Sequence, residues 1–210
     1  IELDNTYKVN NFEYNISGAI NEGKIKFLNS LQNRVLVEEI DQVYFSDLQI
    51  VANFKPKKIK FNGKGKYSLN NLDFLKINFE NKFDDKLIDL ILNLDLKNSL
   101  ELGIINYVKP KNTVANLSLE LKKKGDTTII KNLNFNDDNN SIIINDLILK
   151  KNKLSSFKKI KILTEENDFF IKNEKKIIIE GDKFDASNLA KIFSISDNFL
   201  LISIFLELFK

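Results

Sequence analysis

The sequence of 210 residues contains no cysteine, histidine, methionine or tryptophan, and its only arginine is Arg34. Without cysteine, neither disulfide bonds nor thiolate chemistry is available. Without histidine, the chain lacks the most common general base and the most common zinc ligand. We therefore expect neither a metal site nor a cofactor.

The chain also has no initiating methionine, and it begins and ends inside alternating patterns of apolar and polar residues. We expect it to be a single β segment, residues 1–210, excised from a longer protein, with a possible internal boundary near residues 55–58. The longest apolar run, residues 199–206, is far below the roughly 20 residues that a membrane-spanning helix needs. A membrane anchor, if the protein has one, is expected outside this segment.

Charge of one sign does not dominate, since 32 basic residues face 29 acidic ones and the net charge is +3. Nucleic-acid-binding proteins concentrate basic residues in a patch and use arginine for phosphates and base edges. Here the lysines stand singly on the polar sides of alternating runs, which is typical of a solvated face. Nucleic acid is therefore not expected as a partner.

What the sequence has in abundance is period-two alternation, the pattern of a half-buried β-strand. In residues 58–69 the odd positions are apolar or glycine, and the even ones are lysine, asparagine or serine. Asparagine, aspartate and glycine punctuate such runs at short intervals, for example at residues 21–23, 84–85, 124–126 and 137–140. Short connections favour antiparallel pairing. The sequence thus predicts a mainly β fold, a long curved antiparallel meander.

One short helix is predicted near residues 185–194, where Asp185 can cap the amino terminus. Leu189, Ile192 and Phe193 would then fall on one helix face. Such a helix is too short to cover more than a small part of the sheet.

Motifs that could support catalysis are weak. The glycines of Gly63-Lys64-Gly65 lack the third glycine of a dinucleotide fingerprint, and at inward positions they favour a bend or a close backbone approach. The acidic pairs Asp84-Asp85 and Asp137-Asp138 lie where turns are expected. The chain is therefore not expected to be an enzyme.

The predicted sheet has an apolar face and little helix to cover it. A sandwich, a closed barrel, or a sheet that curls like a taco around an apolar trough would each solve this problem. An open trough would exceed the few hundred Å² of apolar patch that monomers usually expose, and such patches mark binding surfaces. Acyl chains would suit it, because each buried CH₂ gains roughly 0.8 kcal/mol without requiring hydrogen bonds.

Residues 177–189, with the sequence IIIEGDKFDASNL, predict a strand that ends in glycine and leads into a capped helix. Together with residues 61–69, 142–149 and 169–172, this stretch resembles the AsmA-like superfamily, which includes TamB and YhdP. The resemblance covers about residues 55–200.

The resemblance implies a large envelope protein of Gram-negative bacteria, periplasmic and tethered to the inner membrane by a helix outside this segment. Its apolar β-groove would carry phospholipid acyl chains passively toward the outer membrane, with headgroups at the wet edge. Its partners would be phospholipids and components of both membranes. The candidate lining residues are Ile59, Phe61, Tyr67, Leu69, Ile77, Phe79, Leu92, Leu94, Leu117, Leu119, Leu133 and Phe135.

Two alternatives stay open at this point. A structural or adhesive extracellular β-solenoid would have a dry core and bind partners on its outer surface. A carbohydrate-active β enzyme would need two carboxylates that converge in a cleft.

Overall fold

The computed structural model describes residues 1–3, 5–7, 9–31 and 38–187. In these residues the regular secondary structure is β-strand apart from one 3₁₀ turn at Gly103–Ile105. The strands are β1 (Glu2–Leu3), β2 (Val9–Asn11), β3 (Tyr14–Leu31), β4 (Ile40–Lys55), β5 (Lys58–Ser68), β6 (Leu75–Asp84), β7 (Leu87–Leu96), β8 (Leu100–Leu102), β9 (Tyr107–Lys109), β10 (Ala115–Lys124), β11 (Thr127–Asp137), β12 (Asn140–Lys150), β13 (Lys153–Ser156), β14 (Lys159–Leu163), β15 (Asp168–Asn173) and β16 (Ile177–Lys183).

One sheet of 12 strands dominates, in the order β16-β15-β14-β12-β11-β10-β7-β6-β5-β4-β3, with β13 paired to β12 at the side. All of its pairings are antiparallel. Two small hairpins, β1-β2 and β8-β9, stand apart from it. The predicted mainly β antiparallel meander is confirmed. Residues 55–58, marked as a possible boundary, form the turn that joins β4 to β5 within this continuous sheet.

Turn chemistry explains most of the connections. Asp85, Gly125 and Asp138 each have a positive φ, at 53°, 56° and 47°, and these residue types adopt that conformation most readily. The predicted turn at residues 21–23 is wrong, since β3 continues through it for 18 residues. Ladder pairing with β4 on both sides of Gly23 outweighs the local preference of the sequence for a turn.

A bulge in β4 brings two backbones together at Gly65. Asp47 has a φ of 52°, and the residues from 47 to 48 oppose Gly65 alone, between the pairs Ser46↔Lys66 and Gln49↔Lys64. A Cβ at position 65 would lie 2.6 Å from Leu48 Cα. The close backbone approach predicted for this glycine is confirmed.

The register assigns the side chains to two faces of the large sheet. One row runs across neighbouring strands through Gly63, Phe79, Leu92, Leu119 and Leu133, and we call this apolar side the inner face. On the outer face, a corresponding row is polar, with Lys60, Lys82, Asp89 and Lys122.

The crossover segment, residues 97–114, links β7 to β10 and packs into the core. Its Leu102 and Ile105 are each 1% exposed and belong to one buried cluster with the inner-face residues of β10, β11 and β12. The Tyr107 ring meets Phe135 edge-on, with 6.2 Å between centroids. The crossover thus fills part of the space in front of the sheet.

Polar contacts fix the crossover in place. Lys109 is fully buried, and its ammonium donates to the carbonyl oxygens of Lys97, Pro110 and Thr113 at 3.2, 2.9 and 2.7 Å. Burial lowers the pKa of Lys109. Asn167, also fully buried, donates to the Ile105 carbonyl at 2.8 Å. The buried side chains of Lys109 and Asn167 are thus both hydrogen-bonded, as buried polar groups in folded proteins generally are.

The helix predicted near residues 185–194 lies mostly outside the described residues, as does the apolar run 199–206. The described part, 185–187, is not helical. Asp185 nevertheless accepts the Ser187 N–H at 2.9 Å, the type of bond expected of a capping aspartate. In the part of the chain that the structure describes, no helix is long and apolar enough to cross a membrane.

Candidate functional site

The candidate lining residues share the inner face of the large sheet. Every one that lies in a strand falls on that face, and Leu69 follows directly after β5, half-buried against the core cluster. The alternation of the sequence therefore assigned these side chains to one surface. What differs among them is how far each is covered.

Part of the inner face is a packed core. Tyr67, Leu117, Leu119, Leu133 and Phe135 are 5%, 8%, 1%, 0% and 1% exposed. Leu117, Leu119, Leu133 and Phe135 belong to the cluster that includes the crossover, while the buried Tyr67 donates its hydroxyl to the Asp95 carbonyl at 2.7 Å. In this structure these five candidates do not line an open trough, because other side chains of the protein already cover them.

Another part of the inner face, at the end of β3 to β6 near the β4-β5 turn, is more exposed. Ile59 is 38% exposed, Phe83 39%, Tyr14 49% and Ile16 56%. Intermediate exposure is found for Phe54 and for the remaining candidates, which are Phe61, Ile77, Phe79, Leu92 and Leu94. We define the open apolar face as Tyr14, Ile16, Phe54, Ile59, Phe61 and Phe83.

Aromatic rings form much of this surface. The Phe61 and Phe79 centroids are 5.4 Å apart, and those of Tyr14 and Phe54 are 6.1 Å apart. Near the β4-β5 turn the surface deepens into a recess of about 460 Å³, lined by Tyr14, Phe54, Ile59 and Phe83 together with Phe12 and charged residues of the rim. That volume lies within the roughly 300 to 1,000 Å³ typical of ligand pockets.

Paired charges border the recess. Lys55 Nζ lies 3.1 Å from Glu13 Oε2, and Lys58 Nζ lies 2.9 Å from Asp84 Oδ2. A hydrogen bond from Asn53 and a second from Lys55 hold the pKa of Glu13 below its usual value. The rim is therefore wet and charged while the floor is apolar, an amphipathic arrangement.

Sequence reasoning missed four members of the open apolar face: Tyr14, Ile16, Phe54 and Phe83. Their signal was present, since Phe83 continues the odd-numbered inner positions of Ile77 and Phe79. An inward polar residue, Asn81, interrupts this pattern between Phe79 and Phe83.

Carboxylates of both acidic pairs make contacts with other side chains. Asp84 pairs with Lys58, and Asp137 accepts a hydrogen bond from the Tyr107 hydroxyl at 2.7 Å. Among the residues that can be described, no group of three or more acidic side chains is placed to hold a metal ion. The arrangement as a whole is suited to burying apolar ligand surface.

No family model, no curated protein and no solved structure matches this chain. The AsmA-like resemblance accordingly depends on the residues themselves, chiefly those at 177–189. In the structure, β16 occupies residues 177–183 of that stretch.

Proposed function

We propose that this chain binds phospholipid acyl chains on its open apolar face, as a segment of an AsmA-like envelope protein that moves lipid between the inner and outer membranes. The observation that carries the proposal is a set of adjacent inner-face apolar side chains left exposed to water, with Ile16 at 56% and Tyr14 at 49%. A periplasmic location and a tether to the inner membrane belong to the same proposal.

The energetics suit a lipid chain. Covering apolar surface gains about 25 cal/mol per Å², and the gain requires no directional bond. An acyl chain could lie along the inner face and be displaced without breaking specific hydrogen bonds. The charged rim at Lys55 and Lys58 would stay in water beside a headgroup.

The packed part of the inner face has a different role in this proposal. Since Leu119 and Leu133 are almost fully buried, they stabilise the fold that presents the open apolar face. The lipid path is thus confined to β3–β6, a narrower region than the sequence predicted.

The packed part of the inner face is also the observation that favours the alternative function, that of a structural or adhesive protein. A structural or adhesive extracellular protein would need a dry core, and the cluster around Phe135 and Ile144 is one. In that case partners would bind the polar outer face, and the open apolar face would have no lipid ligand.

Native mass spectrometry of the chain, purified from a Gram-negative host, distinguishes the two. We expect co-purified phospholipid, and we expect added diheptanoyl phosphatidylcholine to form adducts. The substitution Ile59→Asp places a charge on the open apolar face and should reduce both signals by about ten-fold, because a charge in an apolar contact costs well over 1.4 kcal/mol.

The matched control is Lys64→Asp, on the same strand but with an exposed side chain on the outer face. It should leave lipid content unchanged. Lipid content that is equal in the two variants, or absent from the unmodified chain, would contradict the proposal.

A further inference from the structure

The first part of the edge strand β3, residues 14–21, has few of the features that keep sheet edges from pairing, although Glu22, Lys24 and Lys26 follow it in the same strand. In the described chain, it pairs with β4 and with no other strand. Every second residue of such a strand directs its N–H and C=O groups away from the sheet. Natural proteins protect these groups with charge, proline, bulges, short length or a covering element.

Among the residues that the structure describes, none of these protections is found between Tyr14 and Asn21. The segment, YNISGAIN, contains no charge and no proline, and each of its residues is exposed. It belongs to a strand of 18 residues, the longest of the fold.

The opposite edge is different. β16 has seven residues, of which Glu180, Asp182 and Lys183 are charged. It also bends at a bulge opposite Asp168 and Phe169. In the described chain, the sheet is thus protected along β16 and unprotected at residues 14–21 of β3, which makes that part of β3 the surface that fits a partner strand.

We propose that β3 pairs with β3 of a second copy of this chain, antiparallel and about a two-fold axis at Gly18. This register places Ile16 opposite Ile20 and Asn15 opposite Asn21. Ile16, Gly18 and Ile20 pair within the sheet with Ala52, Ile50 and Leu48, so they lie on the inner face. Isoleucine would therefore face isoleucine on one side and asparagine would face asparagine on the other, while Ser17 would lie opposite Ala19 and Tyr14 opposite Glu22.

The self-pairing also satisfies the symmetry of a two-fold interface. The same patch must serve both partners, and a strand whose uncharged stretch is centred on Gly18 can do so without bringing like charges together. A two-fold axis perpendicular to the sheet keeps the two inner faces on the same side. The dimer would carry one continuous inner face across both copies.

Gly18 provides a direct test because its surroundings are empty. A Cβ at this position meets no atom within 4 Å, so the isolated subunit can accept a larger side chain. In the dimer, the two copies of residue 18 would lie directly opposite, where like charges repel. Opposite charges at the same place attract.

The experiment measures mass by light scattering and native mass spectrometry on the full 210-residue chain. The unmodified chain should be a dimer of 24.3 kDa subunits. Gly18→Lys and Gly18→Glu should each raise the dimer dissociation constant by roughly ten-fold or more. An equimolar mixture of the two variants should recover a dimer containing one copy of each.

Ile179→Lys, an equivalent charge on the exposed β16 edge, is the control and should leave the dimer intact. Far-UV circular dichroism confirms that each variant is folded. A monomeric unmodified chain would overturn the proposal and indicate that β3 pairs with some other strand. Dimers that persist in both Gly18 variants, or a mixture that stays as weak as either variant alone, would overturn it as well.

Discussion

The ring of Phe79 lies directly over Gly63, so that a Cβ at position 63 would be 2.2 Å from the ring Cζ. The two residues are register partners on β5 and β6. Glycine at 63 therefore gives the aromatic ring its place on the inner face. The neighbouring Gly65 meets backbone instead, with Leu48 Cα at 2.6 Å.

These surroundings predict an order of stability among alanine substitutions. Gly65→Ala should lower the free energy of unfolding the most, by about 2 to 3 kcal/mol, because backbone cannot move aside easily. Gly63→Ala should cost less, since the Phe79 ring can rotate away. Gly18→Ala should change stability by about 0.5 kcal/mol or less, because its surroundings are open.

Urea unfolding followed by circular dichroism measures all three. A Gly65→Ala variant as stable as Gly18→Ala would show that β4 does not approach β5 closely at the bulge.

The identity of the inner face could be predicted from the sequence, because strand geometry makes every second side chain share a face. Phe61, Phe79 and Leu119 were assigned correctly on this basis alone. Their exposure could not be predicted, because it depends on distant covering elements such as the crossover. Nothing local to Leu119 indicates that it is buried while Ile59 is open.

The length of β3 was a second feature that could not be predicted from the sequence. Asn21-Glu22-Gly23 has the composition of a turn, yet it lies inside β3, where pairing with β4 decides its conformation. At the bulge of Asp47, by contrast, the sequence carries a local signal, since the apolar positions change from odd at Val43 and Phe45 to even at Leu48 and Ile50. The error at residues 21–23 concerns long-range pairing, which outweighs local propensity.

Two inner-face residues should respond differently to truncation. Leu119→Ala should lower the free energy of unfolding by about 2 to 5 kcal/mol, since it opens a cavity in a packed core. Ile59→Ala should cost about 1 kcal/mol or less, because Ile59 is already 38% exposed. Thermal and urea denaturation measure both.

Equal losses for the two variants would mean that the inner face is covered uniformly. That result would remove the distinction between the open apolar face and the core.

The Tyr107 hydroxyl and Asp137 should be energetically coupled. Their hydrogen bond is 2.7 Å long and buried, and the other carboxylate oxygen, Oδ1, is buried with no hydrogen-bond partner. Tyr107→Phe should therefore cost about 1 to 3 kcal/mol, because it leaves the carboxylate without its donor.

A double-mutant cycle isolates this contact. In the background of Asp137→Ala, Tyr107→Phe should cost at least about 0.5 kcal/mol less than it does alone. Strictly additive losses would show that the hydroxyl does not stabilise the carboxylate.

Alkaline pH should destabilise the fold through two buried tyrosines. Burial raises the pKa of Tyr67 and of Tyr107, and the hydrogen bond to Asp137 adds to the shift at Tyr107. The pKa of a tyrosine in the unfolded chain is about 10. The stabilisation from a raised pKa is complete below that pH and is lost above it, by up to about 1.4 kcal/mol per pH unit for each tyrosine.

Urea unfolding at about pH 8 and about pH 11 should show this loss, and the double variant Tyr67→Phe/Tyr107→Phe should lose less over the same interval. Lysine titration also changes the free energy of unfolding with pH, in the unmodified protein and in the double variant alike. The quantity to compare is therefore the difference between the two proteins in the slope of unfolding free energy against pH. Parallel slopes would show that neither hydroxyl is held neutral by the fold.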